Sequence, residues 1–517
     1  MKLSALAGAA LTAAVLGTTL TARDAGAQAG AVAAPGNGQQ PGPVWPKLSA
    51  AERDQVMKFG EDFKQFIGTA KSAITFVREA TKMVEAAGFK PWPKNPTKAQ
   101  VTPGSRWYAV NRDRTIVAFV IGREHLVNGA RIVNTHNDSV FLALKPKPLR
   151  ESFEIALLDT AVHGGIKNYQ WVNRPLAVIG RVAKADGTIV TIDIGHAPGD
   201  PVLTIPDLAP HIDNDFRERR SRDVIQTEEL DPVLATTTAA ALEALKSRYG
   251  LAPEDFLSAD IQIVPAQMPV DIGLDKMLTG AYGHDDRSNG YANMRAIIET
   301  TAPQRTAIAY GVNNEEVNSW TTGVQSEWFR TLLAEIIAAE EPSYNDLMLR
   351  HALRNSQVLV SDCTTALDPN FPQPYLAGSS ARLGWGLVFK EYGEGREADA
   401  EFSAKVRGMF NAAGVHWQVH AYKAGYGGGT IAQWFANSDI DAVDVGIGIL
   451  SMHSPMDISH KADLWELYRG FKAFLGTTST PGAPAATAVR LPSPVGAEYC
   501  TAPDGQNSMA ITGSTSR

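Results

Sequence analysis

Two residues, His136 and Asp138, open the chemical reading of this chain, in the stretch Thr135-His136-Asn137-Asp138-Ser139. They follow Ile132-Val133 and precede the apolar run Val140 to Leu144, a pattern that predicts the end of a strand. Residues i and i+2 of a strand face the same side, which sets the imidazole beside the carboxylate. A metal-bound histidine is commonly held in this way, one ring nitrogen on the ion and the other supported by a carboxylate. A surface turn or a structural hydrogen bond is the commoner fate of a lone His-x-Asp, so the metal reading needs further ligands.

Other segment ends supply them. Thr306 to Val312 runs into Asn313-Asn314-Glu315-Glu316, Gln357 to Ser361 into Asp362, and Ala442 to Leu450 into Ser451-Met452-His453-Ser454-Pro455. Gly283-His284-Asp285-Asp286-Arg287 stands before a predicted helix over Asn289 to Thr300. In open α/β sheets ligands gather beyond the carboxyl ends of the strands, and histidines with carboxylates are the donors of a two-metal hydrolytic site. Each motif has a plainer alternative. Glu315 and Glu316 face opposite sides of a regular strand, so they act together only if the chain turns at Asn313-Asn314; a solvated acidic turn competes. Asp285 and Asp286 suit a helix start, with one aspartate as ligand and the other capping the helix or orienting Arg287. The glycine-rich loop Gly425 to Thr430 resembles a phosphate cradle at the start of a helix. It lacks the Gly-Lys-Ser/Thr ending of a nucleotide loop, and a tight turn explains it equally well. Lys423 and Gly428 are candidates there for substrate contact. No Gly-x-Ser-x-Gly elbow is present, and Cys363 reads as a small buried residue rather than a nucleophile.

The positioning elements follow from pattern. Lys2, the apolar run Leu3 to Leu20 and Ala27-Gln28-Ala29 predict a signal peptide over 1–29. No later stretch holds the roughly 18 apolar residues of a membrane span, so the expectation is an exported protein, periplasmic or secreted. Residues 30–46, rich in Gly, Pro, Ala and Gln, predict a disordered lead-in. Ser49-Ala50-Ala51-Glu52 is a capping box that opens a helical region to Ala87, and Gly88 stops it. Arg106 to Arg112 and Thr115 to Gly122 read as a hairpin. A β-rich segment over 146–255 interrupts the series. From Thr238 helices and strands alternate, which predicts a largely parallel sheet with helices on both faces. Residues 477–517 form a low-complexity extension. A net charge of −7 argues against a nucleic-acid partner. The two cysteines, Cys363 and Cys500, are too few for a cysteine-rich zinc site.

Collinear blocks carry a resemblance. Ile132 to Ser139 with Leu144-Lys145-Pro146, Gly164-Gly165-Ile166-Lys167-Asn168-Tyr169-Gln170-Trp171 and Ala281 to Arg287 are similar to blocks of the aspartyl aminopeptidase/aminopeptidase I family of zinc peptidases. So are Asn314-Glu315-Glu316, Asp362 with Asp368-Pro369-Asn370-Phe371, Gly427 to Ala432, and Ser451 to Pro455. The resemblance spans about Leu48 to Leu475. It implies a phosphorylase/hydrolase-like α/β catalytic domain in two parts, 47–145 and 256–476, around an inserted β-rich oligomerisation or substrate domain at 146–255. It implies two zinc ions per subunit, other divalent metals being possible, peptide substrates, and a homo-oligomer of dodecameric type. In that reading Asp285 bridges the ions, His136 and Asp362 complete one site, and Glu316 and His453 complete the other. Glu315 is the general base and Asp138 supports His136, while His211 resembles a histidine that reaches a neighbouring subunit's active site. The competing function is an exported zinc- or peptide-binding relative with lost or altered catalysis, and the intact ligand and base positions argue against it.

Overall fold

Strands Ala130–His136, Thr306–Val312 and Gln357–Ser361 are almost wholly buried, as expected where helices cover both faces of a sheet. Side chains alternate between those faces. Val133, Ala307, Ala309 and Leu359 join one apolar cluster, and Ile132, Ile308, Tyr310, Val312, Val358 and Val360 join another. Helices Ala50–Thr69, Ala73–Ala86, His284–Ile298, Ala400–Ala412 and Lys461–Gly476 close the first face. Helices Trp328–Glu340, Asp346–Asn355 and Ala432–Ala436 close the second. Each large apolar side chain buried this way stabilises the fold by roughly 1.5–3 kcal/mol.

The computed structural model describes residues 42–197, 199–317, 321–392 and 399–476. The expected signal peptide, the lead-in as far as residue 41, the C-terminal extension and Cys500 lie outside the described residues. The central sheet has nine strands. Its middle, in the order Thr306–Val312, Ala130–His136, Gln357–Ser361 and Asp441–Gly446, is parallel. The hairpin Arg106–Asn111 and Thr115–Val120 extends it antiparallel on one side, and Leu387–Tyr392 joins antiparallel on the other. The sheet is therefore mixed, with its parallel part at the centre.

Departures from the pattern reading have causes in tertiary contacts. The expected helical region to Ala87 is two helices, broken at Ala70 to Ser72. Ser72 caps the second through a bond from the Thr75 amide to its hydroxyl, and the buried Lys71 ammonium donates to the carbonyls of Pro265 and Gln267, each at 2.9 Å. Ala259–Pro265 leaves the βα series and pairs antiparallel with Leu176–Ala183 and Phe141–Ser152. With Ile155–His163, Ile189–Ile194 and Val233–Ala235 these strands build a six-stranded sheet whose core includes the fully buried Trp171.

The segment Ala442 to Leu450, read as one strand, divides at Ile447. Asp441–Gly446 stays in the central sheet, and Gly448–Leu450 enters a small five-stranded sheet with Thr364–Thr365, Asp457–His460, Leu278–Ala281 and Val270–Ile272. Gly446 makes the junction possible, since a Cβ there would sit 1.9 Å from the Asp362 carbonyl oxygen.

His460 starts the helix Lys461–Gly476, its Nδ1 accepting from the Ala462 amide at 3.1 Å. Burial, partly opposed by Asp275, lowers its pKa to about 4 from 6.5. Between those values the unfolded chain binds the extra proton, so this contribution to stability is complete above pH 6.5 and is lost as pH falls toward 4. A shift of this size is worth about 3 kcal/mol at most. In urea unfolding, wild type should therefore lose more stability than His460→Asn between pH 7 and pH 4.5. Parallel losses would remove His460 as the cause.

Candidate metal centre

The carboxyl ends of the parallel strands bring the candidate ligands together. Asp285 stands in the middle: its Oδ1 is 3.2 Å from His136 Nε2, and its Oδ2 is 3.3 Å from His453 Nε2. Asp362 Oδ1 lies 3.6 Å from His136 Nε2, and Glu316 Oε1 lies 3.1 Å from His453 Nε2. Two ligand-type clusters result, His136/Asp285/Asp362 and Asp285/Glu316/His453, and they share Asp285. A third grouping, Asp285 with Asp286 and Cys363, is chemically different. Burial and the nearby aspartates push the Cys363 thiol well up, and its Sγ lies 3.4 Å from the His284 carbonyl oxygen.

Surrounding groups fix these side chains. His453 Nδ1 lies 2.8 Å from the Gly165 carbonyl oxygen, so it donates there and leaves Nε2 as the electron-pair donor. His136 Nδ1 lies 3.1 Å from the Asp138 carbonyl oxygen and 3.5 Å from its carboxylate. The strand stops at His136, so Asp138 reaches the imidazole from the turn beyond it rather than from the same strand face. The Asp138 carboxylate does more than face His136. Its oxygens accept from the amides of Glu315 at 3.1 Å and Glu316 at 3.2 Å, and lie 3.1 Å from His163 Nε2. The chain does turn at Asn314, which has φ of 61°, and Asp138 pins that turn. Asp286 accepts from the His136 amide at 3.1 Å instead of orienting Arg287, whose guanidinium lies over the Tyr282 ring. Asp457 accepts from the amides of His284 and Ser454 and so ties the Asp285 and His453 loops together.

The electrostatics favour a cation. Asp285 Oδ1 and Glu316 Oε1 are buried without a hydrogen-bond partner among the described residues, which natural interiors rarely tolerate. Burial alone would lower His136, but the carboxylates of Asp138, Asp285 and Asp362 hold it well above its ordinary value. Burial likewise opposes His453, yet Asp285 and Glu316 push it up to about 12. Burial pushes the Glu315 carboxyl up to about 8; the charge of His136 opposes this, and Asp362, Glu316 and Asp285 reinforce it. Orphaned carboxylate oxygens beside imidazole nitrogens fit the donor set of zinc.

The remaining candidates lie elsewhere. His211 is exposed on the loop before the short helix Asn214–Arg217. Lys423 is exposed and donates to the Gln373 carbonyl at 2.6 Å. Gly428 is exposed, with open space where a Cβ would project. Sequence reasoning missed Lys390, whose ammonium lies 3.4 Å from Asp362 Oδ2 and donates to the Cys363 carbonyl. It also missed His163 and Asp457. The Gly164-Gly165 pair was the only signal near His163, and nothing in spacing pointed to Lys390 or Asp457.

Comparison with known proteins points to a family of zinc peptidases. The model of the aminopeptidase I zinc metalloprotease (M18) family matches residues 66–475. A probable M18 family aminopeptidase 1 of Clostridium acetobutylicum is 35% identical over 453 residues, covering 84% of this chain and 97% of that protein. A crystal structure of an M18 family aminopeptidase from Thermotoga maritima is 32% identical with a TM-score of 0.80, covering 84% of this chain and 99% of that one. A structure of the mApe1 dodecamer of S. cerevisiae shares the fold at 20% identity and a TM-score of 0.68, over 82% and 97% of the two chains.

Asp138 and His136 should separate in a zinc titration of metal-stripped protein. His136→Ala removes a donor, whereas Asp138→Ala removes only outer support, a change that typically costs 10–100-fold in metal affinity or activity. The expected order of zinc affinity is wild type, then Asp138→Ala, then His136→Ala. The reverse order for the two variants would take His136 off the metal.

Proposed function

Because this chain belongs to the aminopeptidase I (M18) family of zinc metalloproteases, we propose that its metallo-aminopeptidase activity runs on a binuclear centre with Glu315 as general base. The single observation that carries this reading is Asp285, one carboxylate oxygen toward His136 and the other toward His453. His136, Asp285 and Asp362 would hold one zinc ion, and Asp285, Glu316 and His453 the second. When bound, the ions supply Lewis-acid chemistry, drawing the pKa of water toward ~7 and polarising the scissile carbonyl.

The chain's own residues do the rest. Glu315 accepts the proton of the attacking water on its carboxylate and delivers it to the leaving amine. The raised pKa of Glu315 reflects burial among like charges, and dications at the neighbouring carboxylates would favour its ionised, basic form. Asp138 holds the Glu315 and Glu316 amides, so base and ligand move as one unit. Burial would raise the Asp138 carboxyl, but His136 and His163 hold it below the usual carboxylate range. The half-exposed side of His453 leaves a way in for a peptide amino terminus.

The wider organisation follows the same reading. The central sheet and its helices would form the phosphorylase/hydrolase-like catalytic part within 47–145 and 256–476, and 146–255 the inserted part, whose six-stranded sheet also takes in Phe141 to Lys145 and Ala259–Pro265. The exposed His211 would meet a neighbouring subunit in a dodecameric assembly. The apolar run Leu3 to Leu20 and Ala27-Gln28-Ala29 support export. No described helix is long and apolar enough to cross a membrane.

Glu315→Gln tests the assignment. It should lower kcat on aminoacyl-anilides by roughly 10²–10⁴-fold while the purified protein keeps its zinc. Full turnover in the variant would remove Glu315 as the base, and chelator-resistant turnover in wild type would remove the metal mechanism.

A further inference from the structure

Three consecutive residues at the end of one strand of the six-stranded sheet pack against three different parts of the candidate metal centre. Strand Ile155–His163 ends there, and the chain continues as Gly164-Gly165. His163 Nε2 lies 3.1 Å from Asp138 Oδ2, and its ring stacks on Phe141 with centroids 4.2 Å apart. Gly164, at φ of +76°, packs so closely that a Cβ would lie 2.6 Å from Val140 Cγ1 and 3.0 Å from Glu316 Oε2. The Gly165 carbonyl oxygen receives His453 Nδ1 at 2.8 Å.

We propose that the His163-Gly164-Gly165 turn is a positioning element through which the six-stranded sheet sets the geometry of the metal centre. His163 acts through Asp138, and Gly165 acts through His453. The inference rests on the binuclear reading above.

Hydrogen-bond capacity sets this role. Asp138 must orient two amides of the turn that carries both the base and a ligand. A donor on its Oδ2 fixes which way the carboxylate plane faces, and His163 supplies that donor from a different sheet. His453 sits at the less buried edge of the centre, and without a partner on Nδ1 its ring would be held from the Nε2 side alone. The Gly165 carbonyl holds the ring from its other edge and selects the tautomer whose Nε2 can bind a metal. A shift of the turn would therefore change the base and His453 together, so the part of the chain that looks like an accessory sheet helps to align catalysis. His163 touches neither metal nor water in this account. Its role is positional.

Two substitutions isolate the hydrogen bond from packing. His163→Phe keeps a ring on Phe141 and loses the donor; His163→Gln keeps a donor and loses the stack. Each is read by steady-state kinetics at saturating zinc and by the visible spectrum of the cobalt(II)-substituted full-length protein. The expected result is a kcat about 10-fold lower or more in His163→Phe, with KM little changed, an altered cobalt spectrum and an unchanged melting temperature. His163→Gln should recover most of the kcat and the wild-type spectrum. Wild-type kcat and spectrum in His163→Phe would overturn the proposal, as would equal defects in both variants, which would assign the effect to packing. Wild type taking up fewer than two cobalt ions would instead overturn the binuclear reading on which the inference stands.

Discussion

The structure around the site depends on one constraint, the crowding of buried carboxylates against Asp285. Asp362, Glu316, Glu315 and Asp286 all act on its neighbourhood, and two like charges 4 Å apart repel by about 4 kcal/mol at an effective dielectric near 20. Protons or metal cations must relieve that repulsion. The strong upward pull on His136 and His453 is the proton solution, and the orphaned oxygens of Asp285 and Glu316 point to the metal solution. A zinc peptidase fold can hold such a cluster because the candidate ligands sit on or beside strand ends locked by two apolar clusters, whose burial offsets the local repulsion.

Positioning is shared among three sheets. The central sheet presents His136 and Asp362 at the ends of adjacent strands and leads from Thr306–Val312 to the Glu315-Glu316 turn. The small sheet, through Asp457–His460 and Gly448–Leu450, frames the loop of His453. The six-stranded sheet reaches in with His163 and with Gly165 just beyond its strand end. No candidate ligand cluster is therefore the property of a single element, and Asp138 is one point where the central and six-stranded sheets meet.

Much of this was legible in residue order. Periodicity located Thr306–Val312 and Trp417–Ala421 as strands, the Ser49–Glu52 box fixed a helix start, and the candidate ligands near predicted strand ends do come together in space. What periodicity could not supply was partner choice. Ala259–Pro265 looks like any buried strand, and only tertiary pairing makes it antiparallel and part of another sheet. Ala442 to Leu450 is one apolar run, yet Gly446 lets it pass close to Asp362 and change sheets. The helix break at Lys71 depends on carbonyls of Pro265 and Gln267, almost two hundred positions away. Lys390 and Asp457 are single polar residues with no local pattern, so their roles appear only when the chain is folded. Asp138 was legible as a partner of His136, but its hold on the glutamate turn was not.

The sharing of Asp285 is the claim from which the rest follows, and metal stoichiometry of its isosteric variant tests it most directly. Mass-spectrometric zinc counting on folded Asp285→Asn, beside wild type and His136→Ala, reads the result. Two ions in wild type, one retained in His136→Ala and none held tightly in Asp285→Asn are predicted. Two tightly held ions in Asp285→Asn would contradict a shared carboxylate and, with it, the binuclear account.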